Sequence, residues 1–138
     1  MRICSTCKTN LKTYRQIKYC SNKCQSDAKY YQYVDDWKNG KRNGNRGIVA
    51  KNISRHLRRY LIEKFGEQCT QCNWSEKHPV TNVVPLEIDH IDGNSENNSE
   101  KNLRLLCPNC HALTPFYKNL NNGKGRMWRT KKYIKNGA

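Results

Sequence analysis

The chain is poor in acid, poor in apolar residues and free of long hydrophobic runs. Only 11 Asp and Glu stand against 26 Lys and Arg, a formal net charge of +15. Hydrophobic residues make up 36% of the 138, and the mean hydropathy is −1.02. That composition excludes a large apolar core and leaves room for one ordinary domain or two very small ones. No window approaches the run of about 18 apolar residues that spans a bilayer, and Met1 to Cys7 has no apolar h-region, so a cytoplasmic location is expected.

The missing acid is missing in particular places. Eight of the 11 acids fall between Glu63 and Glu100, whereas Lys38 to Ile62 holds eight basic residues and no acid, and Ala112 to the C-terminus holds seven more, again with no acid. An acidic centre between two cationic arms suits a polyanion such as DNA or RNA, because each neutralised phosphate releases condensed counterions. The alternatives are solubility charge or an anionic membrane surface. No amphipathic helix with a large apolar face accompanies either arm, which favours nucleic acid.

What is present in excess is cysteine. Cys4-x2-Cys7 and Cys20-x3-Cys24 are 12 residues apart, in a segment with almost nothing apolar to bury. Four thiolates at these spacings can close tetrahedrally on Zn2+, and the metal then supplies the folding free energy a core would otherwise give. A redox pair or unliganded cysteines are the alternative. A short aromatic-rich helix is expected from Asp27 to Trp37, followed by Lys38 to Gly47, whose three glycines and four cations read as a flexible, phosphate-contacting linker. Ile53, Leu57, Tyr60, Leu61 and Phe65 then form the stripe of an amphipathic helix that Gly66 can end. Arg55, Arg58 and Arg59 lie off that stripe, facing either phosphates or only solvent. His56 has no partner in the pattern and reads as a surface residue.

Cys69, Cys72, Cys107 and Cys110 form a second set with 34 residues between the pairs, the spacing of a zinc ribbon. Val83 to Ile88 reads as a strand leading into Asp89-His90, Asp92 to Ser99 as turn, Leu103 to Leu106 as a second strand, and Asn109 to Thr114 as a short helix stopped by Pro115. Four thiolates leave no open position, so neither zinc is expected to do chemistry. Asp89 and His111 are a hard carboxylate and an imidazole suited to one divalent ion with positions left for phosphate and water. Adjacent strand residues point to opposite faces, so His90 is free to act as a base near its ordinary pKa of about 6.5. This is the grouping a metal-assisted phosphodiesterase needs.

At HIDGN-x2-NN-x3-NLR-x-LCPNCH-x2-T, within about Tyr60 to Gly125, the sequence closely resembles the HNH endonucleases, a branch of the ββα-metal (His-Me finger) nucleases of phages and mobile elements. The resemblance implies that His90 is the general base, Asp89 and His111 hold the catalytic Mg2+ or Mn2+, and Asn102 holds the loop so that the His90 ring is oriented. It also implies entry into the minor groove of duplex DNA. Lys101 stands where many relatives carry glutamate. The fold expected is α+β: a small zinc-stabilised ββα-metal core preceded by an amphipathic helix and an N-terminal Cys4 zinc knuckle. The divisions expected are a zinc module at 1–37, a basic flexible linker at 38–52, the nuclease domain at 53–125 and a basic tail at 126–138. Arg42, Arg46, Arg55, Arg58, Arg59, Lys118, Lys124, Arg126 and Arg129 are the expected DNA contacts, in a host cytoplasm if the gene is phage-borne. Cofactors would be two structural Zn2+ and one catalytic ion, with double-stranded DNA as partner and neither membrane nor small-molecule substrate. Products would carry 5′-phosphate and 3′-hydroxyl ends, by nicking or double-strand cleavage. The rival readings are a non-catalytic zinc-stabilised nucleic-acid-binding protein and an RNA-directed nuclease.

Overall fold

A computed structural model describes residues 1–47 and 52–121, so Lys124, Arg126, Arg129 and the basic tail lie outside the described residues. The chain divides into two compact units, Met1–Arg42 and Asn43 onward. The stretch 38–52, read from the sequence as one linker, is therefore shared between them. Among the described residues no helix is long and apolar enough to cross a membrane.

In the first unit the Cys4–Cys7 turn is closed by Lys8 N–H donating to Cys4 O at 3.0 Å and Cys4 N–H to Thr9 O at 2.8 Å, with Lys8 in the left-handed region at φ 64°. The loop that follows is braced by side chains rather than by burial. Gln16 Oε1 accepts from Lys12 N–H at 2.7 Å, its Nε2 donates to Cys20 O at 2.9 Å, and the Arg2 guanidinium donates to the carbonyls of Thr13 and Gln16. Helix α1 runs Asn22–Lys38. It starts five residues before the aromatic pattern does, because Ser21 Oγ accepts from Cys24 N–H and caps the first turn. Tyr30, Tyr33 and Trp37, at i, i+3 and i+7, form its buried stripe.

The second unit opens on an antiparallel contact rather than a free coil. Asn45 bridges Ile53, Ser54 N–H donates to Gly44 O at 2.8 Å, and Arg46 N–H donates to Asn52 O at 2.6 Å. Ser54 then caps α2, Arg55–Phe65, by accepting from His56 N–H, and Gly66 at φ 81° ends it. Leu57 and Leu61, one turn apart, are fully buried.

Strand β1, Glu87–His90, pairs antiparallel with β2, Leu103–Leu106, in the register Glu87 to Leu106 and His90 to Leu103. The ladder begins later than the apolar run that starts at Val83. Pro85 has no N–H to donate, Leu86 N–H turns back to Val84 O at 2.8 Å, and Leu86 O accepts from the Arg58 guanidinium at 2.9 Å. A 3-10 turn, Glu100–Asn102, feeds β2, and α3, Pro108–Ala112, follows with Cys107 as its N-cap and Pro108 at its first position. A last 3-10 turn covers Lys118–Asn121.

The core of this unit is Leu57, Leu61, Val84, Leu86, Leu103, Leu105 and Leu106, each no more than 4% exposed. At about 1.5 to 3 kcal/mol per side chain, this is a small core for a two-stranded sheet that is marginal alone. A metal cross-link worth on the order of 10 kcal/mol would then be a major share of the stability. The architecture is the small α+β arrangement the sequence suggests, strand, loop, strand, helix, with a helix ahead of it.

Candidate active site and metal centres

The ligand atoms of Cys4, Cys7, Cys20 and Cys24 lie within 4.8 Å of one another, and so do those of Cys69, Cys72, Cys107 and Cys110; all eight cysteines are free of disulfides. Each set could hold a tetrahedral metal ion such as zinc. The thiol chemistry agrees. In the first set the backbone N–H of Cys7, helped by those of Cys20 and Thr6, brings the Cys4 thiol down to about 6 against the opposing effect of burial. Cys24 is driven up to about 12, since the lowering by the Ser21 hydroxyl is outweighed by the Cys20 thiol, burial and the other two sulfurs. In the second set burial raises Cys69, but N–H groups of Cys107, Cys72 and Gln71 overcome it and hold the thiol at about 6. Cys110 goes to about 12, chiefly through the Cys107 thiol. Sulfurs this close cannot all ionise without a cation between them, and a divalent ion removes that conflict.

The second Cys set brackets the sheet at one end. Thr70 N–H and Oγ1 both donate to Leu105 O, at 2.8 and 2.9 Å, which ties the Cys69–Cys72 turn to β2. Cys107 ends that strand and caps the helix that carries His111. The helix position of His111 is thus set by the cysteine cluster.

Alternation along β1 puts Glu87 and Asp89 on one face and Ile88 and His90 on the other. His111 meets the first of these faces. Its Nδ1 lies 2.5 Å from Glu87 Oε2, and its Nε2 lies 3.9 Å from Asp89 Oδ1. The first contact is a hydrogen bond; the second is too long for one. Two atoms that share an ion at about 2.1 Å each sit between about 3.0 and 4.2 Å apart, so Asp89 Oδ1 and His111 Nε2 fit a common divalent ion. Asp89 is 7% exposed, and its other oxygen accepts from Arg104 Nε at 2.8 Å, which leaves Oδ1 on the side of His111. Glu87 in turn fixes the His111 tautomer, as the outer carboxylate of a carboxylate, histidine and metal series does.

His90 ends β1, and its Nε2 is 2.7 Å from Asn98 Oδ1. Asn102 makes no hydrogen bond to the ring. Its Oδ1 accepts from Asp92 N–H at 2.9 Å, its Nδ2 donates to Asp92 Oδ1 and Asn97 O, and its own carbonyl accepts from Ile91 N–H. Asn102 thereby ties both ends of the 91–98 loop to the start of β2. Asp92 is the hub of that loop. Burial raises its carboxyl, but hydrogen bonds from Asn97, Asn94 and Asn102 outweigh it and hold the group below the usual carboxylate range. Gly93, at φ 75°, lies so close to the Phe116 ring that any Cβ would collide with it.

Asp89, His90, Asn102 and His111 are the site residues expected from the sequence; the structure adds Glu87, Arg104, Asp92 and Asn98 as their partners. Glu87 was within reach of reasoning, being two residues from Asp89 on the same face; Asn98 was not, because its other partners lie 55 and 53 residues earlier in the chain.

The expected phosphate-contacting cations differ in their surroundings. Arg46, Arg55 and Lys118 are exposed. Arg42 stacks 5.1 Å over the Tyr33 ring, near Asp36; Arg59 pairs with Glu63 at 3.0 Å; Arg58 is anchored on Leu86 O.

Residues 69–113, from the first ribbon cysteine to just past His111, match the family model of the HNH endonucleases. The matched segment is the one that the second Cys set frames. Among curated proteins, the H-N-H endonuclease F-TflIV of Escherichia phage T5 is 36% identical over 100 residues, 72% of this chain. The chain spans 40% of that relative's length. No solved structure gives a significant match.

Proposed function

We propose that the protein is a metal-dependent DNA endonuclease that hydrolyses phosphodiester bonds to 5′-phosphate and 3′-hydroxyl ends. The observation that carries the reading is the pairing of Asp89 Oδ1 and His111 Nε2 across 3.9 Å, at a strand whose next residue is a histidine with one ring nitrogen that makes no hydrogen bond among the described residues. Asp89 and His111 would hold a Mg2+ or Mn2+ ion, which would supply positive charge against the negative charge developing on the phosphoryl oxygens and the departing 3′ oxygen. His90 takes the proton from the attacking water, aligned in line with the leaving oxygen. Asn102 keeps the loop after His90 closed. Arg104 holds Asp89 in its ligating rotamer.

Both Cys4 sets hold Zn2+ in structural roles. Double-stranded DNA is the substrate, steered by the excess of +15 charge and contacted by Arg42, Arg46, Arg55, Arg59 and Lys118 on its backbone. The test is supercoiled plasmid with purified zinc-loaded protein, with and without Mg2+ or Mn2+, read as open-circular and linear product. Cleavage should need the added ion and fall by about 10²- to 10⁴-fold in His90→Ala, with zinc content and DNA binding kept. A His90→Ala protein that cuts at the wild-type rate would remove the base from His90.

A further inference from the structure

Asn98 is 4% exposed, and its carboxamide sits between two parts of the second unit. On one side its Nδ2 donates to Asn43 O at 3.0 Å and to Asn45 Oδ1 at 3.1 Å. On the other its Oδ1 faces His90 Nε2 at 2.7 Å. The orientation of the amide follows from its partners. A backbone carbonyl only accepts, so the atom towards Asn43 must be the NH2, and the atom towards His90 must be the oxygen. An amide oxygen also only accepts, so the hydrogen in the contact belongs to His90 Nε2. In the neutral ring Nδ1 then carries the lone pair, and Nδ1 makes no hydrogen bond among the described residues.

We infer that Asn98, anchored by the Asn43–Asn45 segment, is the positioning residue that selects the Nε2–H tautomer of His90 and presents Nδ1 to the attacking water. The inference rests on His90 being the general base. It transfers the direct orientation of the ring from Asn102, which closes the loop, to Asn98. It also gives the segment ahead of α2 a part in the active site. Gly44 runs past Asn98 so closely that an added Cβ would lie 2.8 Å from Asn98 Cβ and 2.8 Å from Leu57 Cδ1, and its φ of 82° suits glycine. That backbone is the fixed wall against which the amide is held. Without the wall the amide could rotate, and without the amide either ring nitrogen could carry the hydrogen.

Long-range 1H–15N correlation on the full zinc-loaded chain, labelled in histidine, reads the tautomer directly. Four histidines are present, and His90 is assigned by its loss in His90→Ala. The expected wild-type state is Nε2–H. Asn98→Ala should give a mixture of tautomers and about 10- to 100-fold slower plasmid cleavage, with unchanged DNA affinity measured without divalent ion. An Nδ1–H ring in the wild-type protein would overturn the inference even if Asn98→Ala failed to fold, and so would an Asn98→Ala protein with wild-type tautomer and rate. Failure of the general-base reading looks different: His90→Ala would then cut normally while the wild-type tautomer stayed Nε2–H.

Discussion

The Cys4–Cys7 and Cys69–Cys72 turns share one backbone. In each, the residue after the second cysteine is left-handed, Lys8 at φ 64° and Asn73 at φ 65°, and donates to the first cysteine's carbonyl. The first cysteine's own N–H reaches forward, to Thr9 O and Trp74 O. In each, the second cysteine pair meets the start of a helix, α1 or α3. The two units differ in what lies between the pairs. The first holds 12 residues, braced by Gln16 and Arg2. The second holds 34, enough for a hairpin and a loop, and there Asp89, His90 and Asn102 collect, with His111 just past the second pair. A metal cluster that closes a turn leaves its insert free to vary, because the cross-link rather than the insert supplies the stability.

The comparison breaks most sharply through the cysteines. Cys107→Ser should lose one metal ion per chain, unfold the hairpin and α3, and abolish cleavage. Cys20→Ser should also lose one ion but leave cleavage at low salt intact. Elemental analysis, circular dichroism and plasmid nicking on the pair of variants check both. Equal loss of activity would make the first unit part of the catalytic one.

Truncation sharpens the boundary. Removing Met1–Arg42 spares Asn43 and Asn45, and cleavage at saturating protein should survive. Removing four more residues, through Arg46, takes away the anchors of Asn98 and should slow cleavage by about 10- to 100-fold. If both truncations behave alike, the Asn43–Asn45 segment has no share in the active site.

Glu87→Gln keeps the shape beside His111 and removes the charge. Affinity for Mn2+ at Asp89 and His111 should fall by about 10- to 100-fold, with zinc content unchanged. Titration of cleavage against Mn2+ measures it.

Loss of the first unit's cations should also make binding less dependent on salt, by about one unit of log-log slope for each phosphate contact removed. Fluorescence anisotropy across a salt series gives that slope for the full chain and for the truncation at Arg42. An unchanged slope would mean the first unit does not touch DNA backbone.

The smallest effect concerns Asp92. Its folded pKa lies below the unfolded value of about 3.9, so its contribution is fully present above that value and fades as pH falls through the folded one. Asp92→Asn should lower stability at neutral pH and reduce the loss on acidification, as read by urea denaturation at several pH values.

Sequence alone determined the devices that act over a few residues or carry an unmistakable chemistry. Cysteine spacing marked both four-cysteine sets, the leucine stripe marked α2, and the HIDGN to CPNCH segment marked Asp89, His90, Asn102 and His111 as candidates, whereas α3 ends at Ala112, two residues before the stop that Pro115 implies. Tertiary structure decided which side chains touch. Nothing in the order of residues pairs Asn98 with Asn43, or Arg58 with Leu86 O, since those partners are 55 and 28 positions apart and meet only once α2 packs on the hairpin. It decided too that Asn43–Arg46, glycine-bearing and polar, is held by Asn52–Ser54. Composition reports what a segment would do alone in water; a buried amide and a glycine pressed against it report what neighbouring chain makes it do.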